Sequence, residues 1–194
     1  MVASFEQRLD ADLNTLIDEA LKYIQQLSAP ADSEAESFDF EFFRKESANA
    51  AKVLAHNATK LSLTAPPKSK DAFTSTKQIV DCMRHLVALA LSIPKSSGST
   101  LTTHIRSVIS EVVFDIASHA NAFLTTARPL SEVRNLGYLS ATGIVWKGCD
   151  IMQQIPITNA KTVQYLVKRK LELVEDAVTE MEGLLEEDGG DDGG

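Results

Sequence analysis

Nowhere does the sequence run to eighteen consecutive apolar residues, and Met1 to Asp10 is charged where a leader would have a basic flank and an apolar centre. Neither a membrane span nor a signal peptide is expected. Only two cysteines, Cys82 and Cys149, occur in 194 residues, far apart in the chain. That excludes a disulfide scaffold and predicts reduced, structural thiols in an intracellular compartment. Basic clusters are few: Lys168, Arg169 and Lys170 form the one basic cluster, and no Lys or Arg follows them. Ten of the 27 acidic residues lie from Glu172 onward, so the net charge of -8 belongs to the end of the chain, and the body before it carries about +2. A nearly neutral body lacks the basic patch that phosphate binding needs, which argues against direct nucleic-acid binding.

Strand-like alternation is missing as well. What is present is helical periodicity, divided by Pro30, the pair Pro66 and Pro67, Pro94, Pro129 and Pro156 into six segments. The spacing predicts helices over about 4–27, 38–61, 70–92, 99–124, 131–154 and from Thr158 or Asn159 to about Glu187. The fold class is therefore all-α, an antiparallel bundle of five to six long helices spanning 1–187, followed by an acidic Gly/Asp tail or linker start at 188–194 that is expected to be disordered. The segment from Ser99 to Leu124 has the broadest apolar stripe and reads as the central helix, capped by Ser97 or Ser99. The loop 28–37 is expected to be mobile. Phe38, Phe40, Phe42 and Phe43 are expected mainly in the core. Gly137, Gly143 and Gly148 suggest close helix packing, because the strand and turn of a nucleotide loop are absent.

From Val167 the last helix repeats Val167, Leu171, Val174, Val178, Met181 and Leu185 at alternating spacings of four and three, which matches an a/d seam. Four-helix bundles use the same spacing, so packing within the chain's own bundle is expected ahead of pairing with another molecule.

Chemistry is sparse. The residues three before His56, His85, His104 and His119 are Val53, Cys82, Leu101 and Ile116, so the Glu-x-x-His of a bundle di-iron site does not occur. Asp81 with His85, and Asp115 with His119, share a helix face four residues apart, and surface pairing is the expected role of each. Neither Gly-x-Ser-x-Gly nor the ligand spacing of an EF-hand is present. No metal, cofactor or catalytic residue is assigned, and no enzyme is expected.

Two stretches, Phe40 to Leu63 (FEFFRKESANAAKVLAHNATKLSL) and Gly143 to Glu182 (GIVWKGCDIMQQIPITNAKTVQYLVKRKLELVEDAVTEME), resemble the GCIP-type family of cyclin-D-binding proteins. In the second, Val145, Trp146, Cys149, Pro156, Asn159, Asp176, Ala177 and the Glu180, Met181, Glu182 cluster carry the likeness, and 99–124 fits the family's middle helix. The resemblance implies a helical module that acts in cell-cycle and transcriptional control, in the cytoplasm and nucleus, by binding a D-type cyclin or a helix-loop-helix regulator. The candidate contacts are Leu171, Val174, Val178, Met181 and Leu185, with Glu172, Glu175 and Glu180 selecting a basic partner. The resemblance also implies that the chain is the N-terminal part of a longer plan. A vinculin- or talin-type structural adaptor is the alternative reading.

Overall fold

The structure is a computed structural model and describes residues 4–31, 33–34, 37–64, 70–128, 134 and 136–188, with side chains as far as residue 184. The described residues form six α-helices, α1 (Phe5–Ser28), α2 (Phe40–Leu63), α3 (Lys70–Leu91), α4 (Ser99–Asn121), α5 (Tyr138–Gln153) and α6 (Asn159–Asp188), and a 3-10 turn at Lys95–Ser97. Among the described residues there is no strand.

Five helices close on one another in the order α1, α4, α5, α2, α3 and back to α1, with α3 also touching α4 across the middle. The central role of α4 follows from its composition. Leu101, Ile105, Ile109, Val112, Val113, Ile116 and Ala120 are each at most 1–2 % exposed and meet the buried sides of the helices around them. Opposite them stand Leu13, Leu16 and Ile17 of α1, Leu54 and Leu61 of α2, and Met83 and Leu86 of α3. Each fully buried Leu or Ile contributes about 1.5–3 kcal/mol relative to leaving it in water.

The ends of the helices are fixed by polar contacts. Ser4 and Gln7 form a reciprocal capping box on α1, and Asp39 accepts from the Phe42 amide at the start of α2. At the other end of α1, the buried Arg106 donates from Nη1 to the Ala29 carbonyl at 2.8 Å, placing a cation where the helix dipole favours one. The loop after α1 is pinned at Ser33, whose carbonyl accepts from the Lys95 amide and whose hydroxyl donates to the Ser92 carbonyl.

Several sequence expectations need correction. Neither Ser97 nor Ser99 caps α4: the N-cap is Gly98, at φ +100°, and the cap comes from another helix. The first residue of α6, Asn159, accepts from the Leu101 amide through Oδ1 at 3.0 Å. Helix α5 begins at Tyr138 rather than near Ser131, and residues 131–133 lie outside the described set. Arg134 is held out of a helix by its ties to α4, where its amide donates to Ser118 Oγ and its guanidinium reaches Asp115 and Glu111. Of the three glycines only Gly148 permits close packing, since a Cβ there would lie 3.1 Å from Val112 Cγ2, whereas Gly137 and Gly143 have nothing within 4 Å. Of the four phenylalanines, Phe43 is fully buried, Phe38 and Phe40 pack edge-on at the margin of the core, and Phe42 is exposed. The acidic tail at 189–194 lies outside the described residues.

The largest correction concerns α6. Its seam does not pack inside the bundle: Val167, Leu171, Val174, Val178 and Met181 are 52, 56, 59, 44 and 61 % exposed. The five helices already close on one another, and α6 touches the bundle at α4 through its first turns, so the rest of this thirty-residue helix extends past the surface it could cover.

Candidate partner-binding face

Helix α6 starts after Pro156, with the Thr158 hydroxyl accepting from the Lys161 amide. Thr162 is wholly buried, and Tyr165 stacks against His104 of α4 with ring centroids 5.4 Å apart. The Arg169 guanidinium sits 5.9 Å from the centre of the same tyrosine ring. Burial, reinforced by the Arg169 charge, holds His104 below the usual imidazole range. Asn159, Thr162 and Tyr165 thus tie one side of α6 to α4.

At 100° per residue, the seam Val167, Leu171, Val174 and Val178 lies about 150° around the helix from that tied side. It points away from the bundle. Leu184, 64 % exposed, and Val163, at 43 %, widen the apolar surface, while Leu173, 65 % exposed, lies about 130° around the helix from the seam. These three fall off the strict a/d spacing, which is why periodicity alone did not select them. Glu175 is exposed beside the seam, whereas Glu172 and Glu180 are exposed on the far side of the helix, where Lys168 pairs with Glu172 at 3.7 Å. The Leu185 side chain lies outside the described set. Seven large apolar residues with no covering neighbour along some six turns of helix form a surface suited to another helix or a groove.

The rest of the molecule offers structural chemistry. Among the described residues no group of three or more His, Cys, Asp or Glu is placed to hold a metal ion, and no helix is long and apolar enough to cross a membrane. Cys82 and Cys149 are free thiols; burial pushes each up to about 12, and the Cys82 thiol donates to the Ala50 carbonyl. The two Asp and His pairs do not bond internally. His85 faces Glu46 at 3.3 Å while Asp81 faces Arg84, at the surface as expected. Asp115 and His119 are buried instead. Desolvation pushes the Asp115 carboxyl up to about 7 despite Arg134 at 3.0 Å, and lowers His119 to about 4 against a backbone hydrogen bond to Ala58. Asp115 receives Arg134, and His119 packs on Phe123 with centroids 5.0 Å apart.

The family model described as Grap2 and cyclin-D-interacting, N-terminal, matches residues 47–187, nearly the whole arrangement from α2 through α6. The chain belongs to the Grap2 and cyclin-D-interacting family. Relatives include the cyclin-D1-binding protein 1 homologs of Xenopus laevis, 29 % identical over 152 residues, and Danio rerio, 31 % identical over 145 residues. The human cyclin-D1-binding protein 1 is 26 % identical over 161 residues. These alignments cover 75, 71 and 81 % of this chain but 44, 40 and 44 % of the relatives, so the chain spans less than half their length. Within the Grap2 and cyclin-D-interacting match lie Gly98, Asn159 and all of the described seam.

Proposed function

We propose that this chain is a non-enzymatic binding module of cell-cycle and transcriptional control, acting in the cytoplasm and nucleus. Its α6 seam enters a groove on a D-type cyclin or pairs with a helix-loop-helix regulator. One observation carries the reading: Leu171, Val174, Val178 and Met181 form an apolar line left in water by a bundle whose core is already complete. The names of the relatives support the cyclin assignment. Glu175 borders the seam and favours a basic rim on the partner, while Glu172 and Glu180, on the far side of α6, add to an acidic field that speeds encounter and excludes acidic competitors.

The test is a pull-down of a D-type cyclin with the chain and with a Leu171→Ala, Val178→Ala variant. Both positions are exposed, so the variant should keep its helical circular dichroism and unfolding midpoint while capture falls at least tenfold. Undiminished capture by the folded variant would remove this face from the proposal.

A further inference from the structure

The charge on α6 is segregated along its length. Lys161, Lys168, Arg169 and Lys170 occupy the first half, and from Glu172 to Asp188 every charged residue is acidic. A helix with an apolar seam and opposite charges at its two ends complements a reversed copy of itself.

The geometry points to a second copy of this chain as an occupant of the seam, with the two α6 helices antiparallel. The inference rests on the reading of α6 as a docking face, though not on the identity of any cyclin-like partner. Assigning Val167, Val174 and Met181 to d positions makes Leu171 and Val178 a positions and puts Lys161, Lys168, Glu175 and Glu182 at e. A two-fold axis between Leu171 and Val174 then sets Leu171 against Val174 of the second copy, and Val167 against Val178. Reversal of one helix brings e positions beside e positions. In this register Lys168 meets Glu175 and Lys161 meets Glu182, and the symmetry repeats each pair. On the other flank Val163 meets Leu184, so two exposed apolar residues outside the strict seam are covered by the same register.

A parallel arrangement would instead lay the Lys168, Arg169, Lys170 cluster beside itself and acids beside acids along the second half. The bundles do not obstruct the antiparallel pair. The seam faces away from α4, and residue 160 of one copy falls opposite 185 of the other, so the bundles sit at opposite ends, about 38 Å apart along the helix axis. Isologous two-fold contacts of this kind are self-complementary and close without further growth. Because the same seam serves both occupants, a cyclin-like partner would bind by displacing the second copy.

Sedimentation of residues 1–194 at tens of micromolar tests this. The expected result is twice the mass of one chain, falling to a monomer in Leu171→Asp with helicity retained. Lys168→Glu should weaken the dimer about tenfold, since two pairs become repulsive, Glu175→Lys should do the same, and the double swap should restore it. Asp176→Lys changes net charge as much as Glu175→Lys but lies on the opposite face, and should leave the dimer intact. For orientation, Val167→Cys mixed with Val178→Cys should give an oxidised cross-linked pair, while Val167→Cys alone should not. A monomer at every concentration, a dimer unaffected by Leu171→Asp, or cross-linking of Val167→Cys alone would overturn the antiparallel pair. The cyclin pull-down is read separately: a monomer that still captures cyclin refutes the second copy and leaves the docking face standing, and a dimer that captures none does the reverse for the cyclin assignment.

Discussion

Replacing Gly98 with alanine probes the joint by which α6 is attached to the bundle. At φ +100° and ψ 132° the backbone lies in a region that residues with a Cβ rarely adopt, a strain of about 1–3 kcal/mol. The new Cβ would also stand 2.7 Å from Asn159 Cγ and 2.8 Å from its Oδ1, so the asparagine must move and release the Leu101 amide. Losing that cap costs about 1 kcal/mol. Gly98→Ala is therefore expected to destabilise by about 2–4 kcal/mol, and Asn159→Ala by about 1 kcal/mol. The decisive measurement is the double variant. Since the alanine at 98 already expels the cap, removing Asn159 as well should add almost nothing, giving a coupling of about 1 kcal/mol. Urea unfolding followed by circular dichroism on the four proteins measures it. Strict additivity would refute the reasoning, because it would mean that the Asn159 side chain neither caps α4 nor meets the new methyl.

Three further outcomes follow from the interior. His119 has a folded value of about 4 against 6.5 when exposed, so its contribution is full above pH 6.5 and is lost as the pH falls toward 4; His119→Leu should gain on the native protein by about 2–3 kcal/mol between pH 7 and 4.5, and a pH-independent difference in unfolding free energy would contradict a neutral buried imidazole. Gly148→Leu should destabilise by more than about 2 kcal/mol because its methylenes would enter Val112 and Asp115, while Gly143→Ala, in open space within a helix, should stabilise by up to about 1 kcal/mol; melting curves that reverse this order would refute the packing. Cys82 and Cys149 should resist iodoacetamide at pH 8 in the folded protein and react fully in denaturant, and rapid labelling of the native form would contradict thiols raised to about 12.

Much of the bundle was legible because each helix carries its own period and each break carries its proline. Leu101, Ile105, Ile109, Val112 and Ile116 are three and four apart in the sequence and lie together in the core. Less legible were features decided by partners distant in the chain. Asn159 looked like the beginning of one helix and turned out to cap another, 58 residues earlier. Nothing near Ser97 or Ser99 announces that, since a side chain from elsewhere satisfies the amide their hydroxyls could have served. The Asp115 and His119 spacing fits a surface pair equally well in water; α5 and Arg134 cover Asp115, and α2, α3 and α5 close over His119.

The candidate face presents a different problem, because periodicity says which side of a helix is apolar and not what covers it. The width of the stripe holds more information than its spacing. Helix α4 has Ile105, Val108, Ile109, Val112, Val113 and Ile116 spread over a broad arc, as a helix surrounded by neighbours requires. From Val167 to Met181, α6 keeps mainly the narrow two-in-seven seam, with Lys168 and Glu175 along one edge and Lys170 on the other. A seam that narrow can accommodate one neighbouring helix, and its acidic and basic edges would be costly to bury inside a five-helix core. The same two traits that leave α6 without a place in its own bundle, a one-helix seam and charges sorted by sign along its length, are those that suit it to a partner lying alongside.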